Sequence, residues 1–425
     1  WGRYDGEVAY LDSLVGQIME WLEEKGLEES TLVAFIGDHG ESLGQHKEIG
    51  HGFFIYDATV GVPFILKTPH RELAGRRVAA QVRTIDLMPT LLDLIGVEIP
   101  ESVQGQSLLD LCSGRRKDLD LVAYSESLYP RHHYGWSDLK SLRNGAFHFI
   151  ASPEPELYDV RIDPLQKENL ASQRPDEVRR FELQLEELLG RFSMEGIEER
   201  GPEMVDPETQ AQLAALGYLG GPSKVNVDPS APLADPKDKI ELFNLIKQAG
   251  SDSSEGKVEE ALSKIQRVLT EDPDILEAHN ILGNLYNKQN ETEKAIQSYQ
   301  EALARDPEYK PALFSLASTY EQLGRLEDAA AGFRRVLDID PRDNTAGYRL
   351  ATILAERKEF EPAIEALSSI MALGVERPPA HNLMAEFYIG LEKYAEAEAS
   401  VRKALEMNAD LPTAHYNLAL ILEER

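Results

Sequence analysis

Apolar positions follow two regimes along this chain. From residue 239 onward they recur with a period of 34, which decides the architecture of that half before any propensity argument. Leu282-Gly283, Leu316-Ala317, Leu350-Ala351, Met384-Ala385 and Leu418-Ala419 form one column, and Ala261, Ala295, Ala329, Ala363 and Ala397 another. Tyr286, Tyr320 and Tyr388 share a third, while Pro273, Pro307 and Pro341 stand where a helix must stop. This spacing of small and large residues predicts two helices per repeat, packed closely at the small positions. Each pair can bury its apolar face only against its neighbours, so a superhelix with a concave groove is expected.

The first 196 residues alternate helical and strand patterns instead, as α/β proteins do. Val8, Leu11, Val15, Ile18, Met19 and Leu22 fall on one face of a helix that ends near Gly26. "TLVAFI" (31–36) is a continuous apolar run that predicts a buried central strand, and "VPFIL" (62–66) predicts a second. A helix follows through "IDLMPTLLDLI" (85–95). "LKSLRN", "AFHFIAS" and "ELYDV" then read as antiparallel strands of a small separate sheet, closed by an amphipathic helix over 175–193. Between 197 and 238, Pro202, Pro207, Pro222, Pro229, Pro232 and Pro236 with Gly220-Gly221 predict a linker. One short helix is expected inside it, with Asp206 as N-cap, Pro207 as first residue and Gly217 as stop.

Chemistry concentrates in "GDHGESLGQHKEIGHG", residues 37–52, which holds three histidines, an aspartate, two glutamates and five glycines. It begins where the 31–36 strand ends, and ligands collect at the carboxyl ends of strands in open α/β sheets. A turn permitted by Gly37 and Gly40 could bring Asp38 and His39 toward one ion. A carboxylate beside an imidazole suits Zn, Mn or Fe, and more oxygen ligands would suit Ca or Mg. Taken alone, Asp38 could merely cap a turn and His39 could be a surface histidine.

The net charge of −30 argues against nucleic-acid partners and anionic membrane surfaces. No apolar run is long enough to span a bilayer. The single cysteine, Cys112, excludes an internal disulfide and leaves the redox compartment undecided. The sequence opens at Trp1 without a leader-like segment, so any targeting signal is expected to be removed or to lie upstream, and localisation cannot be read directly.

The repeat columns resemble the tetratricopeptide repeat, with five units and the first helix of a sixth over 239–425. Because the chain stops inside a unit, the protein is expected to continue. The block from "YDGEVAYLDSLV" to "VGVPFIL", with "TIDLMPTLLDLIGVEIPESVQGQSL" and "ELYDVRIDPLQKENLA", resembles the C-terminal part of a sulfatase domain of the alkaline phosphatase superfamily. The fold expected is thus a partial α/β sulfatase-like domain over 1–196, a linker over 197–238 and an all-α repeat superhelix over 239–425.

The resemblance implies Asp38 and His39 as ligands of a divalent metal, with Ca, Mn and Zn all open. It implies a substrate-oxygen contact or leaving-group role for His51, at a position where the family often carries Lys. That departure resembles phosphoester-cleaving and phosphoryl-transferring branches. Glu41 is expected to support the turn, or a neighbouring ligand, rather than to bind metal directly. His46 and Lys47 could contact substrate or be solvated loop residues, and His133 and Trp136, in "YPRHHYGW", could line a pocket or pack in an aromatic loop.

The family's nucleophile, a formylglycine made from Cys or Ser, or an unmodified Thr or Ser, is expected upstream of everything present here. Cys112 lacks the accompanying Pro and follows the metal strand, so it is not assigned. The residues given are therefore expected to be inactive by themselves. Function is expected to be metal-dependent hydrolysis of sulfuric or phosphoric esters, with a protein partner in the repeat groove. Alternatives are a phosphoethanolamine or phosphoglycerol-type transferase and an inactive interaction scaffold. A periplasmic, envelope-associated or secreted location follows from the resemblance alone.

Overall fold

A computed structural model describes residues 2–192, 232–372 and 377–424. The short helix expected at 207–216 lies outside the described residues. The chain divides into two compact units: one takes in the N-terminal part with 232–244, the other the helical repeats from 245 together with 132–134.

In the first unit, helix α1 (Gly2–Glu24) ends as its sequence requires. Gly26 adopts φ 67°, its N–H donates to the Glu23 carbonyl, and the Leu27 N–H donates to the Leu22 carbonyl. This is the paired C-terminal closure for which glycine is favoured. The apolar stripe is present, but Val8, Leu11 and Ile18 are exposed at 51%, 46% and 58%, so the described residues leave this face uncovered.

Strand β1 (Val33–Ile36) is followed by a small hairpin, β2 (Ser42–Leu43) and β3 (Ile49–Gly50), then helix α2 (Asp57–Val60) and strand β4 (Phe64–Lys67). β1 pairs antiparallel with β4, Ala34 opposite Leu66 and Phe35 opposite Ile65. The expectation of buried central strands is corrected here. Neither strand has a fully buried residue, and Ile65 is 60% exposed. An apolar run reports that a strand can be buried on both faces, and the described residues cover these two only in part.

Helices α3 (Leu87–Leu94) and α4 (Leu109–Cys112) lead to a four-stranded antiparallel sheet. Its strands are β5 (Ala123–Ser127), then, after helix α5 (Tyr129–Tyr134), β6 (Leu139–Arg143), β7 (Phe147–Ala151) and β8 (Glu156–Asp159), in that spatial order. Helix α6 (Pro175–Phe192) packs Val178, Phe181 and Leu185 onto Leu142, Phe149 and Leu157, and the Phe149 and Phe181 rings stack at 5.7 Å. The small separate sheet and its closing helix thus match expectation.

The linker ends earlier than composition suggests. The Ala234 carbonyl accepts from the Ser137 N–H at 2.9 Å, and Asp235 accepts from the Glu154 N–H and the Ser152 hydroxyl. Asp235 also accepts from the Lys237 N–H and so caps helix α7 (Pro236–Ser254), whose first residue is a proline. Residues 236–244 of α7 belong to the first unit and the rest of the helix to the second.

The second unit continues as helix pairs: α8 (Val258–Glu271), α9 (Leu276–Lys288), α10 (Thr292–Arg305), α11 (Lys310–Gln322), α12 (Leu326–Ile339), α13 (Asn344–Glu356), α14 (Phe360–Ala372), α15 (Pro378–Gly390), α16 (Tyr394–Met407) and α17 (Pro412–Glu424). The alanine column is fully buried at 261, 295, 329, 363 and 397. At Gly283 a Cβ would press into the Tyr299 ring, which is why a small residue is needed there. α8, α10 and α12 each stop two residues before Pro273, Pro307 and Pro341. One regularity was not expected: Gly256, Asn290, Gly324, Lys358 and Glu392, all with positive φ, turn the chain between helices at the same repeat position. No helix among the described residues is long and apolar enough to cross a membrane.

An internal ion pair ties α2 to the four-stranded sheet. The Arg143 guanidinium donates to both oxygens of Asp57 at 2.8–3.1 Å, and His148 Nδ1 lies 3.3 Å from the same carboxylate. Burial pushes the Asp57 pKa up, but the bonds to His148 and Arg143 outweigh it and bring the value down to about 2. Because the folded pKa is depressed, this stabilisation is complete above the ordinary carboxylate range and is lost as pH falls toward 2. Denaturant titrations between pH 5 and 2 should show a loss of about 2 kcal/mol that is absent in Asp57→Asn. Identical acid profiles for parent and variant would refute the assignment.

Candidate metal centre

The site grows from the end of β1. The Gly37 N–H still donates to the Pro63 carbonyl at 3.2 Å, prolonging the pairing with the β4 side by one bond. The backbone then turns, and the Gly40 N–H donates to the Thr59 carbonyl at 2.7 Å. A side chain at 40 would collide with the Ala58 carbonyl oxygen, so only glycine permits this approach. Gly44, Gly50 and Gly52, at φ 109°, 106° and 92°, carry the chain around the β2–β3 hairpin and back.

These turns gather His39, Glu41 and His51, each offering a ligand atom within 4.8 Å of the others'. The His39 and His51 rings stack with centroids 3.8 Å apart at 30°. His51 Nδ1 lies 2.9 Å from a Glu41 carboxylate oxygen. His39 Nδ1 lies 2.9 Å from the Gly40 carbonyl. Neither oxygen can donate, so each Nδ1 is the nitrogen that carries the hydrogen in these contacts. A metal-ligating histidine is oriented in this manner, its second nitrogen bonded to a carboxylate or carbonyl.

Asp38 stands beside this group without closing it. One of its oxygens accepts from the His39 N–H at 2.9 Å, and the other is 3.7 Å from His39 Nε2. Its side chain is 87% exposed, and the His39 backbone bond holds its carboxyl below the usual carboxylate range. The two imidazoles and the Glu41 carboxylate, with Asp38 beside them, form a mixed nitrogen and oxygen donor set that fits a divalent metal.

The other candidates are placed elsewhere. The His46 ring stacks on Tyr56 at 3.5 Å, and burial holds its pKa below the ordinary imidazole value. The Lys47 ammonium pairs with Glu241 at 2.9 Å. Trp136 is 3% exposed and meets Phe53 edge to face, so it belongs to the core. His133 falls in the second unit, its Nδ1 3.9 Å from Glu277, and burial brings its pKa down to about 4. The structure thus joins His51 and Glu41 to His39, and brings none of His46, Lys47, His133 and Trp136 into that group. Of the packed aromatic loop and the pocket wall, the first describes Trp136.

Sequence reasoning passed over Glu48, which is 1% exposed and accepts from the Phe53 and Phe54 N–H groups at 3.1 and 3.3 Å. Its signal was available: an acidic residue in a glycine-rich turn, with its carboxylate able to bind the backbone just beyond His51.

Residues 2–97 match the sulfatase family model, and 251–310, 282–344, 314–374 and 378–411 match tetratricopeptide-repeat models. The chain joins the C-terminal part of a sulfatase-type domain to a tetratricopeptide-repeat array. It is 29% identical over 198 residues to Arylsulfatase K of Xenopus laevis, covering 44% of this chain and 36% of that protein. It is likewise 29% identical over 199 residues to an arylsulfatase of Clostridium perfringens, covering 44% and 40%. The solved structure of the Bacteroides fragilis protein yidJ is 28% identical, with TM-score 0.39 and coverage of 43% of this chain and 40% of that one. The chain spans well under half the length of the curated relatives it matches.

Gly40→Ala isolates the geometric constraint. It is expected to cost about 1–3 kcal/mol, the scale of overpacking, because the Ala58 carbonyl would have to move. Denaturant unfolding of the first unit measures this, and an unchanged midpoint would show that the turn has slack that the structure does not.

Proposed function

We propose that the protein is a metal-dependent hydrolase of sulfuric esters whose repeat array docks a protein partner. The carrying observation is the convergence of His39, Glu41 and His51 at the end of β1, inside the segment that matches the sulfatase model. Sulfatases generally use a divalent metal, which when bound stabilises negative charge developing on the ester oxygens. In this reading Asp38 and His39 hold the ion, and the His51 ring, stacked on His39 at 3.8 Å, fixes the orientation of that ligating imidazole. Glu41 bonds His51 Nδ1 at 2.9 Å and would stabilise an imidazolium, so that Nε2–H can serve a nonbridging oxygen or the leaving group. The nucleophile is assigned to no residue of this chain.

One observation favours a second reading, phosphoester hydrolysis or transfer: an imidazole paired to a carboxylate, His51 with Glu41, occupies a position where sulfatases often carry Lys. The full-length protein, assayed on an aryl sulfate, a phosphate monoester and a phosphate diester with Ca, Mn and Zn in turn, separates the two. The sulfate is expected to be preferred, and a preference for phosphate by orders of magnitude would replace the first reading with the second. Asp38→Ala and His39→Ala are each expected to weaken metal binding by at least about 10-fold. Retention of a full metal equivalent at unchanged affinity in both would reject the ligand assignment.

A further inference from the structure

The hairpin that carries the site contains a strained turn. His46 and Lys47 adopt φ 51° and 66°, a left-handed conformation that ordinary side chains enter only at a cost. Such a conformation persists only where its surroundings over-determine it. Within the first unit those surroundings include the opening turns of α7, in residues 236–244.

Two routes run from α7 to this turn. Along the first, the Asn244 side-chain amide donates to the Lys47 carbonyl at 2.8 Å and Glu241 pairs with the Lys47 ammonium at 2.9 Å. Along the second, the Lys237 ammonium lies 3.2 Å from the buried Glu156 carboxylate, which accepts from the Tyr56 hydroxyl at 2.8 Å, and the Tyr56 ring stacks on His46. Beyond the turn, Glu48 holds the Phe53 and Phe54 N–H groups, and the Phe53 ring stacks on Phe243 at 4.3 Å and 19°. Phe53 and Phe243 are 0% and 2% exposed. His51 and Gly52 therefore sit between two segments, 46–48 and 53–54, that both rest on α7.

We infer that Asn244 and Phe243, with Glu241 in support, are positioning residues for the metal centre: through the strained 46–47 turn and Phe53 they set where His51 stands relative to His39 and Glu41. The helix that opens the repeat array is, over its first nine residues, a working part of the hydrolase unit. This rests on the metal-site reading for its functional consequence, and on packing alone for its structural one.

The test uses the full-length protein. Asn244→Ala removes one hydrogen bond from a half-buried site without opening a cavity, while Phe243→Ala and its conservative counterpart Phe243→Leu vary the stacking contact. Hydrogen exchange of the amides of 44–54 is read without metal. Affinity for Mn²⁺, the probe ion, is then read by electron paramagnetic resonance. Asn244→Ala and Phe243→Ala are expected to exchange faster in 44–54 and to bind Mn²⁺ about 10-fold more weakly, with β6–β8 exchange unchanged and Phe243→Leu restoring most of the affinity.

Parent-like exchange over 44–54 in both alanine variants would overturn the inference, as would faster exchange with unchanged Mn²⁺ affinity while His51→Ala weakens it. His39→Ala and His51→Ala run in parallel. If neither alters Mn²⁺ binding, the metal reading fails on its own terms, and exchange over 44–54 alone decides whether α7 positions the turn. Should Phe243→Ala not fold, Asn244→Ala carries the decision.

Discussion

A carboxylate taken out of water has to be repaid by the groups around it, and the turn after β3 is organised by that requirement. Glu48 is almost wholly buried and meets the Phe53 and Phe54 N–H groups. Hydrogen bonds to a charged group are worth about 1.5–3 kcal/mol each, and these two donors help to offset the cost of burying the group. Those donors lie just past His51. The bonds that help to satisfy Glu48 therefore also restrain the chain just beyond His51. The left-handed residues just before Glu48 add a cost of about 1–2 kcal/mol each, which makes the hairpin a segment that its neighbours must stabilise.

The geometry at His39 follows from a different kind of constraint. Gly40 approaches the α2 backbone so closely that the Ala58 carbonyl leaves no room for a side chain, and this fixes the direction in which His39 leaves the strand. With Nδ1 on the Gly40 carbonyl, its ring faces that of His51, whose Nδ1 is on Glu41. Two stacked imidazoles are tolerable as neutral rings or when charge is shared with carboxylates nearby. Asp38 and Glu41 stand beside these rings, so the same carboxylates accompany the imidazoles and offer oxygen donors to the candidate site.

How much of this could be read from the chain depends on whether a residue's role is local. That Asp38, His39 and His51 share one neighbourhood, and that glycines turn the chain there, was legible, because chain order places them just beyond one strand. The supporting role given to Glu41 fits its contact with His51. His46 and Lys47 were read as polar loop residues or substrate contacts, and neither reading foresaw left-handed backbone held by Tyr56, Glu241 and Asn244. Those partners are 10 to 197 residues away in sequence. Trp136 illustrates the same limit: an aromatic beside two histidines looks like a pocket wall until Phe53 is found against it. In the repeats the small-residue columns were legible because burial restricts size, whereas the left-handed position at 256, 290, 324, 358 and 392 was hidden by the Gly, Asn, Lys and Glu that occupy it.

The least legible feature was the place where one folding unit stops. Proline and glycine content marks chain that need not pack, and by that criterion everything up to 238 is spacer. Packing gives another answer, since Asp235 bonds to the 152–154 turn and Ile240, Leu242 and Phe243 are buried within the first unit. Further along the same helix, Ile246 and Ala249 are buried as members of the second unit. One helix thus obeys two apolar requirements in succession, and a 34-residue period detects only the second. Composition locates where a chain is free to be irregular; only the contacts of its side chains locate where it has become part of a core.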